Sequence, residues 1–249
     1  MWSAGSECAH VYVGQSIAGG LRRADGQSRS VRWSPTSSPL QGWEEAVDWL
    51  SQPLPAGAAV RRARVWLSGS LARPFMFGPV EGLRHEREAI DLAHSLAPEA
   101  TGMAGPCLVW LDSWLPGGSC VAIAIERELR DAIESFAKKR HLRLASLRPW
   151  WAGVLDESVG SPDPCQMLAI EDTDSLTVIS GRGKVDSIGT YLPPPPATER
   201  AAILARRSLS QVVPAEQVRY ARLEVADEAP GDAESLQPTP FLRWDEGIT

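Results

Sequence analysis

The sequence predicts a two-lobed α/β fold in which a β-β-β-α-β unit occurs twice, the copies separated by an inserted α/β stretch. Three observations carry this. Three β-patterned runs, an amphipathic helical run and a further strand occupy residues 9–67. The same order returns over 166–225. The 249 residues are 43% hydrophobic and 22% charged, a globular composition long enough to build its core without disulfides or metals. The repeat is one of element order and not of residue identity.

In the first copy, 9–15, 18–23 and 29–33 are apolar or β-branched runs divided by Gly, Asp and Ser turn signals, the pattern of a three-stranded meander. After the Ser/Pro loop at 34–40, Trp43, Val47 and Leu50 recur at helical spacing among Glu44, Glu45 and Asp48, and Pro53 ends the pattern. Residues 64–67 and 71–77 bracket Ser68-Gly69-Ser70 and read as two tightly joined strands. Residues 81–97 read as a helix, and 108–112 with 120–125 as a strand pair around Pro116-Gly117-Gly118. Residues 126–140 read as a helix with Leu129, Ile133 and Phe136 on one face; Lys138, Lys139 and Arg140 stand where the helix dipole favours cations. Residues 142–147 resume as a strand, and Pro149-Trp150-Trp151 leads into a short helix.

In the second copy, 166–171, 176–180 and 184–190 are strand-like, 197–211 is a helix carrying Ala201, Ile203, Leu204 and Leu209, and 218–225 is a strand. The first lobe is therefore placed at 1–160 with an inserted subdomain at 78–149, and the second at 161–225. Residues 226–249 are acidic, with Asp227, Glu228, Asp232, Glu234, Asp245 and Glu246 against Arg243 alone, and are expected to be a disordered tail. Phe241, Leu242 and Trp244 form an apolar cluster within it that docks either on a partner or back on the chain's own domain.

Twenty-five Lys and Arg against 31 Asp and Glu give a net charge of −6, which argues against a protein that neutralises phosphates, so no nucleic-acid partner is expected. Cys8, Cys107, Cys120 and Cys165 lie far apart with no CxxC, the pattern of reduced thiols. The N-terminus lacks the basic and apolar regions of a signal peptide, and no apolar run approaches the roughly 20 residues of a membrane span. A cytoplasmic chain with no direct membrane span is expected.

Glu171, Asp172 and Asp174 are the strongest candidates for metal or acid/base chemistry, since hard cations want several carboxylate oxygens together; a solvated β-turn is the competing explanation. Gly181-Arg182-Gly183-Lys184 suits an anion or a simple tight turn but lacks P-loop spacing. Cys8 and His10 could give zinc two ligands, with no second pair to complete the set, and no metal is expected. Ser68-Gly69-Ser70 joins strand to strand, where a nucleophile elbow joins strand to helix. No catalytic residue is expected. Trp150 and Trp151 are candidate exposed anchors or plugs between the lobes.

Three stretches carry a resemblance to a known family: Val11-Tyr12-Val13-Gly14 followed by a hairpin; 64–68 with 71–75; and 121–125 running through Leu129 and Ile133 to Leu144-Ala145-Ser146-Leu147-Arg148-Pro149. Over roughly 9–225 the chain resembles the actin-like proteins of bacterial type IV pilus and type II secretion assembly, PilM and the GspL cytoplasmic domain. The resemblance implies an actin-like, ribonuclease-H-type fold. In a full nucleotide site of that kind, an Asp-x-Gly-Ser/Thr turn in the first hairpin cradles phosphate while its Asp helps place a hydrated divalent ion. Here the turn is Tyr12-Val13-Gly14-Gln15-Ser16, with tyrosine in place of the carboxylate. The second lobe offers Glu171-Asp172-Thr173-Asp174-Ser175, acids without the glycine that lets backbone approach phosphate, and no Gly-Gly pair follows 218–225.

These departures point to a degenerate, non-catalytic member with no cofactor. The resemblance then implies a cytoplasmic scaffold, peripheral to the inner membrane through a partner. It would bind a short cytoplasmic peptide of an inner-membrane assembly protein in a groove of the first lobe, and would contact an assembly ATPase. The candidate partner-binding side chains are Trp66, Phe75, Phe77, Trp150 and Trp151. The alternative is an actin-like ATPase of the same fold that binds ATP with magnesium at Gly14, Ser16 and Asp172.

Overall fold

The structure is a computed structural model that describes residues 8–24, 28–52, 60–112, 118–159, 166–182, 184–214, 217–225 and 242–245. The first half runs β1 (Cys8–Val13), β2 (Ile17–Ala24), β3 (Ser28–Pro35), α1 (Pro39–Leu50), β4 (Arg62–Leu67), β5 (Ala72–Phe77), α2 (Glu86–Thr101), β6 (Cys107–Leu111), β7 (Cys120–Glu126), α3 (Arg127–Lys139), β8 (Arg143–Pro149) and α4 (Trp150–Val159). The second runs β9 (Met167–Glu171), β10 (Leu176–Ser180), β11 (Ser187–Tyr191), α5 (Ala197–Gln211), β12 (Val218–Leu223) and β13 (Leu242–Asp245).

Both copies of the expected unit are present, and each builds a five-stranded sheet. The first is ordered β3-β2-β1-β4-β8 and the second β11-β10-β9-β12-β13. In each, the first three strands form an antiparallel meander and the fourth returns parallel to the first, with Val11 beside Val65 and Ala169 beside Tyr220. A parallel return needs a crossover, which α1 and α5 supply. Helix α1 starts where Ser38 accepts a bond from the Gln41 amide at 3.3 Å and Pro39 opens the first turn. Its Trp43, Val47 and Leu50 are buried against Val11, Val13 and Val65 on one face of the first sheet, together with Ile133 and Ala137 of α3.

The other faces of the two sheets meet around α4. Tyr12 and Trp66 from the first sheet, Trp150, Trp151 and Val154 from α4, and Leu168, Ile170, Ala221 and Leu223 from the second sheet make one apolar layer. The pleat sorts these residues, since Tyr12 faces this layer while its neighbours Val11 and Val13 face α1. The Trp151 indole donates to the Ala72 carbonyl at 3.1 Å. Among the described residues no helix is long and apolar enough to cross a membrane.

Three sequence expectations change. Residues 64–67 and 71–77 are not a hairpin: β4 lies inside the first sheet between β1 and β8, while β5 pairs with β7 in a separate sheet ordered β5-β7-β6 and backed by α2. A turn signal between two apolar runs specifies a change of direction and not a pairing partner. The insertion therefore follows different bounds from 78–149. It takes in β5, whereas α3 packs under α1 and β8 pairs with β4, so both belong to the first lobe. Finally, part of the expected tail is ordered: Leu242–Asp245 is a strand beside β12, and Leu242 is buried in the layer between the sheets. Of the two fates considered for that apolar cluster, Leu242 folds back on its own domain; Phe241 lies outside the described residues.

Trp150 is fully buried at 0% exposure. We expect Trp150→Ala to cost about 3–5 kcal/mol of stability, read from the urea midpoint, because the cavity opens between sheets that cannot collapse onto it independently.

Candidate functional site

Three turns converge where the lobes face each other: Gly14-Gln15-Ser16 between β1 and β2, Ser68-Gly69-Ser70 between β4 and β5, and Asp172-Thr173-Asp174-Ser175 between β9 and β10. The first two are tied together because β1 and β4 are parallel neighbours; the Ser68 amide donates to the Val13 carbonyl at 2.9 Å. The third belongs to the other lobe.

Asp172 closes its own turn. Its Oδ1 accepts from the amides of Asp174 at 2.9 Å and Ser175 at 2.8 Å, the Asx-turn geometry that makes Asp a turn residue. Its Oδ2 reaches across the cleft and accepts from the Gly69 amide at 2.7 Å. Asp174 does likewise at the first turn. Its Oδ2 accepts from the Gln15 amide at 2.6 Å, and the Ser16 hydroxyl lies 3.5 Å from its Oδ1. Behind these bonds the Tyr12 hydroxyl is 3.0 Å from the Thr173 hydroxyl.

Two glycines permit the approach. A Cβ on Gly14 would lie 2.5 Å from Asp174 Oδ2 and 2.8 Å from Thr173 Oγ1, and one on Gly69 would lie 2.5 Å from Ser175 Oγ. A side chain at either place would have to displace these side chains of the other lobe. Asp172 is 6% exposed, and burial pushes its carboxyl up to about 6 against the lowering effect of the Gly69 and Asp174 amides. Burial, reinforced by the charge of Asp172, raises the Tyr12 phenol well above its ordinary value, so it is a neutral hydrogen-bonding group.

Gly14, Ser16 and Asp172, singled out from the sequence, are thus brought together. The acid cluster is not. Glu171 points to the opposite face of β9, where the Arg200 guanidinium of α5 binds it and also donates to the Tyr220 hydroxyl. Three acids within four residues serve three different partners, because Glu171 is the last strand residue and the other two are in the turn. The pairing of Gly69 with Asp172 and of Gln15 with Asp174 is not legible in the sequence, since residues more than a hundred positions apart meet only through the packing of the lobes.

The five partner-binding candidates are core residues. Trp66 and Phe75 are 4% exposed, Phe77 7%, Trp150 0% and Trp151 3%, so none presents its ring to a partner. Trp66 stacks on His10, and its indole donates to His10 Nδ1 at 3.1 Å. That contact gives His10 a structural role. In the Gly181–Lys184 turn, Arg182 Nε donates to the Gln166 side chain at 2.8 Å; Gly183 lies outside the described residues. A cavity of about 450 Å³ opens beside the clasp, and its lining includes Glu171, Asp172, Thr173, Pro194, Arg222 and Glu224. It lies at the carboxyl ends of the parallel pair β9 and β12, where α/β sheets commonly place ligands.

No protein-family model matches the chain, and no curated protein matches its sequence. Solved structures do match. The structure is similar to a Bacteroides thetaiotaomicron protein with an actin-like ATPase fold and unknown function (TM-score 0.60, 11% identity, 89% of this chain and 83% of the other). The chain has the actin-like fold. It is also similar to the cytoplasmic domain of EpsL, an inner-membrane component of the Vibrio cholerae type II secretion system (TM-score 0.53, 13% identity, 88% of this chain and 84% of the other). A third similar structure is the PilM-PilN type IV pilus biogenesis complex (TM-score 0.51, 14% identity, 81% of this chain and 65% of the other). The duplicated sheets and facing turns described above are the features this fold provides, and the sequence resemblance to actin-like proteins is matched at the level of fold.

Two measurements check the clasp. Gly14→Ala is expected to cost about 1–3 kcal/mol, and combined with Asp174→Ala to cost less than the sum of the two single changes by about 1 kcal/mol, read from urea unfolding. The second concerns pH. Between the ordinary carboxyl range and about 6, the folded protein holds a proton on Asp172 that the unfolded chain has lost, so this group's contribution to stability falls as pH rises through that window. The slope is on the order of 1.4 kcal/mol per pH unit, and Asp172→Asn should flatten it in urea midpoints taken from pH 4 to 7.

Proposed function

We propose that the chain is a non-catalytic scaffold in a bacterial type IV pilus or type II secretion-like assembly machine, cytoplasmic and peripheral to the inner membrane, that holds a short peptide of an inner-membrane partner. The observation that carries this reading is the clasp. The Gln15 and Gly69 amides, which face the cleft where an actin-like turn would offer its donors to phosphate, are taken by Asp174 and Asp172. A triphosphate there would meet two carboxylates at close range with little solvent to screen them. Asp172 already accepts three amide bonds, and Tyr12 stands where a metal-placing acid would be needed. The residues present do not fit a magnesium nucleotide.

The machine itself is suggested by two of the similar structures, one described as an inner-membrane component of a secretion system and one as a pilus biogenesis complex. Since the five aromatic candidates are internal, we place the peptide on the small sheet of the first lobe. Its edge strand β6 bears no charge over Cys107-Leu108-Val109-Trp110-Leu111, and Trp110 is 43% exposed. An extended peptide would add main-chain bonds to that edge and cover the indole. Contact with an assembly ATPase belongs to the same reading.

The second reading is an actin-like nucleotide-binding protein or ATPase, favoured by the cavity of about 450 Å³ beside Asp172 and Thr173, a volume suited to a small molecule. It requires the clasp to open.

Melting with and without ATP and magnesium separates the two. The scaffold reading expects a change under about 1 °C, whereas a rise of several degrees that Asp172→Ala abolishes would favour the nucleotide reading. Native pull-down from the source cell should recover a membrane-anchored pilus or secretion subunit in near-stoichiometric amount, and Trp110→Ala should weaken that recovery about tenfold.

A further inference from the structure

Helices α1 and α5 make the same crossover in the two lobes but are packed differently. Helix α1 lies between its sheet and α3: Trp43, Val47 and Leu50 are buried with Ile133 and Ala137, and Arg140 of α3 forms a salt bridge with Asp48 of α1. Among the described residues α3 has no counterpart after β12. Leu204 is the one buried residue of α5, set against Met167, Leu176 and Tyr220, while Arg200 and Arg207 turn the same way to Glu171 and Tyr191.

The opposite face of α5 is apolar and open. Ala202, Ala205, Leu209 and Val212 are all exposed and follow one another at spacings of three, four and three, the period of a coiled-coil seam. Leu209 is 81% and Val212 79% exposed, the highest values among the large apolar residues described. Val212 also closes the helix at a φ of 54°, a left-handed backbone that a β-branched residue adopts only at a cost. Two charges flank this seam on one side, Glu199 and Arg206, seven residues apart and so unable to meet on one helix. The positions three and four residues from each hold only alanine, isoleucine, leucine, serine or proline. Neither charge forms an ion pair among the described residues.

We propose that this face of α5 binds the same face of a second copy of the chain, the two helices running antiparallel about a two-fold axis between residues 203 and 204. Ala202 of one copy then lies opposite Ala205 of the other, and these small side chains let the helices approach to about 8 Å. Leu209 enters the space between Thr198 and Ala202 of the other copy. Glu199 meets Arg206 once on each side of the axis, because antiparallel heptads bring residues of the same flank together. Parallel helices would set these two charges against positions 194 and 201, a proline and an alanine. The charge pattern therefore selects a second copy in antiparallel register, a self-complementary contact of the kind two-fold dimers use. An interface centred on one helix falls below the roughly 1,200 Å² of standard interfaces, so the dimer is weak, with Kd on the order of 10–100 µM. It uses neither the clasp nor the β6 edge, and stands or falls independently of the function proposed above.

The test is sedimentation velocity of the whole chain from about 1 to 500 µM, a range that spans the expected Kd. The mean mass should climb from monomer towards dimer. Leu209→Glu should weaken association more than about tenfold and leave Tm unchanged, since the side chain is exposed in the single copy. Glu199→Arg and Arg206→Glu, each alone, place like charges together on both sides of the axis and should weaken self-association about three- to tenfold. Mixed in equal amounts, these two variants should form a heterodimer with the affinity of the unmodified chain, because every arginine again meets a glutamate. A monomer throughout the range would overturn the proposal, as would a dimer indifferent to Leu209→Glu, which would lie on another face. Failure of the mixture to recover association would overturn the antiparallel register. Maleimide labelling of Leu209→Cys at the lowest concentration, read at position 209 by peptide mass, should be rapid. Protection at that dilution would assign the face to a segment of the same chain and overturn the pairing.

Discussion

A carboxylate taken out of water must be repaid by donors, and Asp172 receives one of its three amide bonds from the opposite lobe. Parting the lobes would leave that oxygen buried without its partner or force it to be rehydrated, so one side chain couples the β9–β10 turn to the β4–β5 turn. Asp174 repeats the logic at the β1–β2 turn with a half-exposed carboxylate. Glycine at 14 and 69 leaves room for the clasp, since a Cβ at either place would crowd the Asp174 or Ser175 side chain of the other lobe. The raised carboxyl of Asp172 shows that the three donors do not fully offset the loss of water.

Behind the clasp the aromatic inventory is spent on joining the lobes. Trp66, Trp150 and Trp151 fill the space between two sheets whose outer faces are already covered by α1, α3 and α5. A sheet buried on both faces leaves little large apolar surface for partners, and interaction falls to edges and ends of strands. The two lobes differ here. The first completes its sheet with a contiguous parallel strand, whereas the second borrows four residues from the end of the chain.

The strands and helices were legible because their signals are local. The period of Trp43, Val47 and Leu50 specifies α1, and the turn residues after 13 and 171 specify two meanders. The fold class followed because the same order recurs, and a parallel return after a meander and a helix has few solutions. Where local pattern does not specify the structure, the missing information is long-range. Nothing within 64–77 tells that β5 leaves the first sheet to pair with β7, nor that the Trp150 and Trp151 rings turn inward, since an aromatic pair looks alike at an interface and in a core. At the site, Gly14, Ser16 and Asp172 were visible as departures from a motif, but the bonds that join them were not.

The amino-acid sequence by itself determined the local elements, their duplicated order and the replacement of an expected acid by Tyr12, because each depends on neighbours a few positions apart. Tertiary structure alone decided that Asp172 and Asp174 occupy the amides of the other lobe, that Glu171 turns away to Arg200, and that Leu242–Asp245 completes a sheet. Those outcomes depend on burial and on distances across the cleft, which exist only after the two sheets have packed against α4.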